Sequence, residues 1–255
     1  MKLKGFLIDL DGVLYIEDRS LPGAANAMNY LREQGYPIRF LTNTTMRSRF
    51  ALVEKLRAFG IRAELEEMFS TCVVATHWLR DQGISKIYLL LRRAAQEDFA
   101  DFRITDDNPE AVVVGDLGSE FSFDVLNHAF RLIRNGARLI ALQKNRFWQR
   151  EDGLALDVGP FVVALEYATE REASVIGKPT AAYFETALHD LGLPANQVAM
   201  VGDDVHTDIV GGQAVGLKTI LVRTGKYEFN DVERVDCPPD WTLDSIADLP
   251  ALLEP

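Results

Sequence analysis

Phe6-Leu7-Ile8-Asp9-Leu10-Asp11-Gly12 runs from an apolar segment into two carboxylates and a glycine. The apolar residues read as a buried strand, and the acids stand where that strand leaves its sheet. In open parallel α/β sheets this is where ligands bind. Asp9 and Asp11, at i and i+2, point to the same side while strand geometry persists. Held that close their charges repel, so a cation or a proton must neutralise one of them. By itself the segment reads equally as an Asp-Gly turn whose carboxylates bond nearby amides.

Outward from this strand, short apolar runs alternate with helical segments stopped by glycine. The pattern predicts helices over 23–34, 48–59 and 71–82, ending at Gly35, Gly60 and Gly83, with a strand over 38–41. The end of the chain repeats it, with helices over 180–191 and 208–215 and strands over 198–201 and 218–222. Between these halves, strands over 86–91, 111–114, 138–142 and 174–176 and helices over 123–135 and 160–169 suffice for a second α/β domain inserted in the first. The expected organisation is a core of residues 1–82 and 177–255 carrying a parallel sheet, interrupted by residues 83–176.

The 255 residues carry a formal charge of −11, and that field repels DNA and RNA, so nucleic acid is not an expected partner. Hydrophobic residues make up 47% and the mean hydropathy is −0.03, which excludes disorder and fibrous repeats. Apolar runs fall short of the roughly 18 residues that span a bilayer. Met1-Lys2-Leu3-Lys4 begins like a signal peptide, but Asp9 and Asp11 interrupt the apolar stretch too early. Cys72 and Cys237 are far apart and show no zinc or disulfide spacing, so a reducing, cytoplasmic setting is expected.

Three more segments lie at the ends of predicted strands. Thr42-Asn43-Thr44-Thr45 offers hydroxyl, amide and backbone donors suited to phosphate oxygens, or forms a plain helix-entry loop. Gly177-Lys178-Pro179 puts one cation at a helix entry, although most lone lysines are surface charges. Gly202-Asp203-Asp204-Val205-His206-Thr207-Asp208 gathers carboxylates that suit a hard cation such as Mg²⁺. Four such segments in order, each at a strand's carboxyl end, leave the bland readings little room.

DLDGVLY, LTNTT, GKP and GDDVHTD resemble, in order, the four motifs of the haloacid dehalogenase (HAD) superfamily. The insertion between the second and third is similar to that of the NagD-type branch. Within that branch DLDGVLYIED, FLTNTT, KNRFWQREDGLALDVGPFVVALEYAT and GDDVHTDIVGGQAVG are most similar to the phospholysine phosphohistidine inorganic pyrophosphate phosphatase-like group. The resemblance implies a Rossmann-like parallel-sheet core with an inserted α/β cap. It also implies a Mg²⁺-dependent phosphatase acting on a small phosphate ester, pyrophosphate or a phosphoramidate through an aspartyl phosphate.

On this resemblance Asp9 is the nucleophile and Asp11 the acid/base. Mg²⁺ sits between Asp9, the main-chain carbonyl of Asp11 and Asp203, with Asp208 and Asp204 behind it. Thr42, Asn43, Thr44 and Lys178 bind the transferring phosphoryl oxygens. The cap excludes water and chooses the leaving group. Its candidate contact is the loop Gln143-Lys144-Asn145-Arg146-Phe147-Trp148, with Lys144 foremost, which reads equally as an exposed charged turn. Relatives often pair through the cap, which makes a homodimer the implied assembly. A phosphotransferase or mutase, and a phospho-aspartate signalling module that does not turn over, are the alternatives.

Overall fold

The computed structural model describes residues 3–150, 153–227, 230, 232 and 235–254, without the side chains of Trp148, Gln149, Arg150 and Leu154. Met1 and Lys2, part of the leader-like start, therefore lie outside the described residues, as does the Trp148 side chain. The chain divides into two compact units, one of residues 1–42, 50–69 and 178–255, the other of residues 43–49 and 70–177. Among the described residues no helix is long and apolar enough to cross a membrane.

The first unit is built on a six-stranded sheet. Its order is Trp241–Leu243, Lys218–Val222, Val198–Gly202, Gly5–Asp9, Ile38–Thr42 and Met68–Ser70, and the four pairings among the first five strands are parallel. Gly5–Asp9 and Val198–Gly202 are buried along their whole length, which is why they read as unbroken apolar runs rather than alternating ones. Phe6, Ile8, Phe40, Val201 and Ile220 join Met28, Leu31 and Leu56 of the flanking helices Ala24–Glu33 and Arg49–Ala58 in one core. Burying side chains of this size stabilises the fold by roughly 1.5–3 kcal/mol each.

The second unit has its own five-stranded sheet, in the order Ser174–Val175, Arg138–Ala141, Ala111–Val114, Lys86–Leu90 and Arg103–Ile104, parallel throughout. Helices Phe123–Arg134 and Val158–Thr169 pack Leu132, Ile133, Val162 and Leu165 onto Val112, Val114 and Ala141. An antiparallel hairpin, Phe147–Arg150 with Gly153–Leu156, completes it. Part of the segment expected as a loop over 143–148 is therefore strand.

The helix expected over 208–215 differs. The chain instead makes a wide π-type turn over Val205–Val210 and then a short helix Gly211–Ala214. Such turns recur at functional sites, and here the turn carries Asp208.

Candidate active site

In the first sheet the chain moves from Gly5–Asp9 to Ile38–Thr42 on one side and comes back on the other as Val198–Gly202. The strand order thus reverses at Gly5–Asp9, and a crevice opens at the carboxyl end of such a strand. Asp9 ends that strand, Thr42 ends its neighbour, and Asp203 follows the last residue of the other neighbour.

Lys178 reaches this place from the start of the segment that leads into helix Ala181–Leu191. Its Nζ lies 2.7 Å from Asp9 Oδ1 and 2.6 Å from Asp208 Oδ1. One oxygen each from Asp9, Asp203 and Asp208 lies within 4.8 Å of the others, and all three residues are buried, as is Lys178. Burial pushes the carboxyls of Asp203 and Asp208 up from the ordinary carboxylate value, and repulsion from Asp9 adds to the shift. Burial alone would lower Lys178, yet Asp208 and Asp9 hold it well above its ordinary value, so it stays charged. Lys178 bonds two of the three carboxylates and Lys226 acts on all three from farther off, and an oxygen-only donor set of this kind fits a divalent cation such as Mg²⁺.

Asp204 organises the π-type turn. Its Oδ1 accepts hydrogen bonds from the backbone N–H groups of His206 and Thr207, both at 3.0 Å. The Asp204 N–H donates to Asp208 Oδ2 at 3.3 Å, which steadies that carboxylate. Gly202 leaves it room, because a Cβ there would stand 2.3 Å from Asp208 Oδ2. Burial acts to raise the Asp204 carboxyl, but Lys226 and the two amides outweigh it and keep the group below its ordinary range.

Asp11 has open surface, yet its carboxyl is set among protein atoms. That desolvation, then the Asp9 charge, push it up to about 6, against Lys55, Lys226 and the Tyr15 hydroxyl. The Tyr15 hydroxyl donates to Asp11 Oδ2 at 3.4 Å, and Lys55 Nζ stands 4.0 Å above the Tyr15 ring. A carboxyl that titrates near neutrality suits a group that gives up a proton and takes one back.

Thr42 is buried, and its N–H donates to the Tyr183 hydroxyl at 2.9 Å. That hydroxyl lies 2.5 Å from the Phe69 carbonyl, so Tyr183 ties two strand ends to helix Ala181–Leu191. Asn43 and Thr44 belong to the second unit, where the Thr71 hydroxyl donates to the Thr44 carbonyl at 3.5 Å. A Cβ on Gly177 would meet Asn43 Oδ1 at 2.7 Å, so glycine there makes room for the amide. Lys144 is also in the second unit, and its Nζ binds Glu166 Oε2 at 2.7 Å.

Two groups escaped the sequence reading. Tyr183 carries no signal in the sequence beyond its place in the helix over 180–191. Thr224, Gly225 and Lys226 follow strand Lys218–Val222, and only that strand-end position could have marked them.

Paired carboxylates and a buried lysine at the switch point of a parallel sheet define a class of hydrolase, and the comparisons agree. The haloacid dehalogenase-like hydrolase family model matches residues 6–105, and a HAD-hydrolase-like model matches residues 175–249. Haloacid dehalogenase-like hydrolase domain-containing protein 2 of Homo sapiens is 43% identical over 243 residues, 95% of this chain and 93% of that protein. Human phospholysine phosphohistidine inorganic pyrophosphate phosphatase is 34% identical, over 98% of this chain and 94% of its own. Among solved structures, p-nitrophenyl phosphatase from Archaeoglobus fulgidus superposes with a TM-score of 0.93 at 32% identity, covering 99% of this chain and 100% of that one. NagD from the E. coli K-12 strain gives 0.88 at 28%, covering 97% and 98%. The chain belongs to the haloacid dehalogenase-like hydrolase family, in its NagD-type branch.

Proposed function

We propose that the protein is a Mg²⁺-dependent phosphatase of small phosphorylated molecules, including phosphate esters, pyrophosphate and phosphoramidates, working through an aspartyl phosphate on Asp9. The observation that carries this reading is Lys178 bound to both Asp9 and Asp208, beside Asp203, in one buried cluster. The phosphatase names of the relatives support the same chemistry.

A carboxylate oxygen of Asp9 forms a bond to phosphorus while the bond from phosphorus to the leaving group breaks, and Asp11 protonates the departing atom. Asp11, now ionised, takes a proton from water, whose oxygen attacks phosphorus and displaces the Asp9 carboxylate. Thr42, Asn43, Thr44 and Lys178 donate to the phosphoryl oxygens, where charge builds up. Asp9, the main-chain carbonyl of Asp11 and Asp203 would hold Mg²⁺, and Asp208 and Asp204 would orient this set from behind. When bound, the ion neutralises the crowded carboxylates and the incoming phosphate.

The inserted segment over residues 83–176, which lies within the second unit, acts as the specificity cap, and Lys144 is its candidate substrate contact. The exposed Phe123, Phe147, Leu156 and Tyr167 of that unit support pairing of two copies through it. The unpaired Cys72 and Cys237 support a cytoplasmic setting.

The test is phosphate release from sugar phosphates, nucleotides, p-nitrophenyl phosphate, pyrophosphate and phosphohistidine, with Mg²⁺ or EDTA, beside Asp9→Asn. Release that requires both Mg²⁺ and Asp9 supports the reading. A hydroxyl acceptor that raises turnover would favour a phosphotransferase, and a phosphorylated Asp9 that persists for hours with Mg²⁺ would favour a signalling module.

A further inference from the structure

We infer that the loop Thr224-Gly225-Lys226 is a positioning device for Asp203 that sets the affinity of the carboxylate cluster for its divalent cation. The inference deepens the function proposed above and rests on Asp203 being a metal ligand.

Three independent contacts join this loop to the site. The Lys226 backbone N–H donates to Asp203 Oδ2 at 2.6 Å, which fixes the rotation of the carboxylate. The Thr224 hydroxyl donates to the Gly12 carbonyl, fastening the loop to the segment that carries Asp9 and Asp11. Gly225 and Gly12 close from two sides on the same oxygen, since a Cβ on either would stand 2.0 Å from Asp203 Oδ2. Both glycines have left-handed backbone, φ +61° and +81°, so any side chain there meets strain as well as collision.

The loop follows strand Lys218–Val222, which pairs with the strand leading to Asp203. Two adjacent strand ends therefore interlock around one carboxylate, and the four sequence motifs include none of the three loop residues. Groups that orient a metal ligand commonly change metal affinity by roughly 10–100-fold when removed. Because the donor is a backbone amide, the Lys226 side chain is dispensable for the effect, whereas Gly225 and the Thr224 hydroxyl are not.

The test is the Mg²⁺ dissociation constant, measured by calorimetry on the substrate-free full chain with Mg²⁺ alone, together with the melting temperature of each variant. Gly225→Ala is expected to weaken Mg²⁺ binding about 10-fold or more. Thr224→Val weakens it as well, Thr224→Ser restores it, and Lys226→Ala does not weaken it. If Gly225→Ala fails to fold, the Thr224 pair decides alone. Wild-type Mg²⁺ affinity in folded Gly225→Ala and Thr224→Val overturns the loop's role while leaving the metal reading intact. A wild-type chain that binds no Mg²⁺ overturns both.

Discussion

The two units use the same architecture, a parallel sheet with polar residues at the carboxyl ends of its strands, and they treat those residues in opposite ways. In the second unit the polar groups satisfy one another. Gln143 donates to Asp157 Oδ1 at 2.5 Å and accepts from the Asn145 N–H at 2.6 Å, while Asp157 also accepts from the Val158 N–H. Asp116 accepts from the Gly118 N–H at 2.6 Å, and its own N–H donates to Thr45 Oγ1 at 2.8 Å. In the first unit Asp9, Asp203 and Asp208 are buried together, with Lys178 bonded to Asp9 and Asp208. Polar groups that close on themselves hold a loop in shape. A buried cluster of like charges with incomplete compensation is the arrangement found at functional sites rather than in plain loops.

The sharpest way to break this contrast is to remove the nucleophile. Asp9→Asn is expected to lower phosphate release by about 10³-fold or more, because a neutral amide cannot attack phosphorus. Its circular dichroism melt should stay near that of the wild type, since one repelling charge is removed with the bond to Lys178. Normal turnover by this variant would transfer the role to another group.

Lys178→Met comes next. It leaves Asp9 and Asp208 buried without the lysine that bridges them, and breaking a buried pair in this way costs about 3–5 kcal/mol, read from urea unfolding at neutral pH. The replacement for comparison is Gln143→Ala in the second unit. It should cost about 1–3 kcal/mol through unsatisfied partners and leave turnover of p-nitrophenyl phosphate unchanged. Equal catalytic losses in the two variants would erase the distinction between the units.

The pH dependence of stability sharpens it further. Asp11, Asp203 and Asp208 have folded-state carboxyls above the ordinary 3.8, Asp11 at about 6, so the folded chain binds more protons than the unfolded one. These groups contribute stability at low pH that is lost as the pH rises from 3.8 through 6 and beyond. Metal-free protein should therefore lose part of its melting temperature over that range. Mg²⁺ should restore it at neutral pH and fail to do so in Asp203→Asn. The smallest expected effect is that of Lys144→Ala, which should alter the ranking of substrates more than the rate on p-nitrophenyl phosphate.

The sequence reveals the central strands because Phe6-Leu7-Ile8 and 198–201 are buried on both faces and so carry no polar alternation. Edge strands such as Met68–Ser70 and Trp241–Leu243 are three residues long and leave no period to read. The acids and lysine of the motifs were visible because carboxylates at strand ends are chemically conspicuous. Their partners were not. Tyr183 bonds Thr42 across 141 residues, and Lys226 bonds Asp203 through a backbone amide that no side chain advertises. The π-type turn at Val205–Val210 was missed because Asp204 captures two amides that a helix beginning at Asp208 would have left to other partners.

On the proposed function, the charge imbalance at Asp9 serves phosphoryl transfer. The most direct measurement is peptide mass mapping of the protein after acid quenching during turnover of a phosphate ester with Mg²⁺. The account predicts a phosphoryl group on the peptide bearing Asp9, absent with EDTA and in Asp9→Asn. Phosphate release accompanied by a phosphoryl group on a different residue would contradict it.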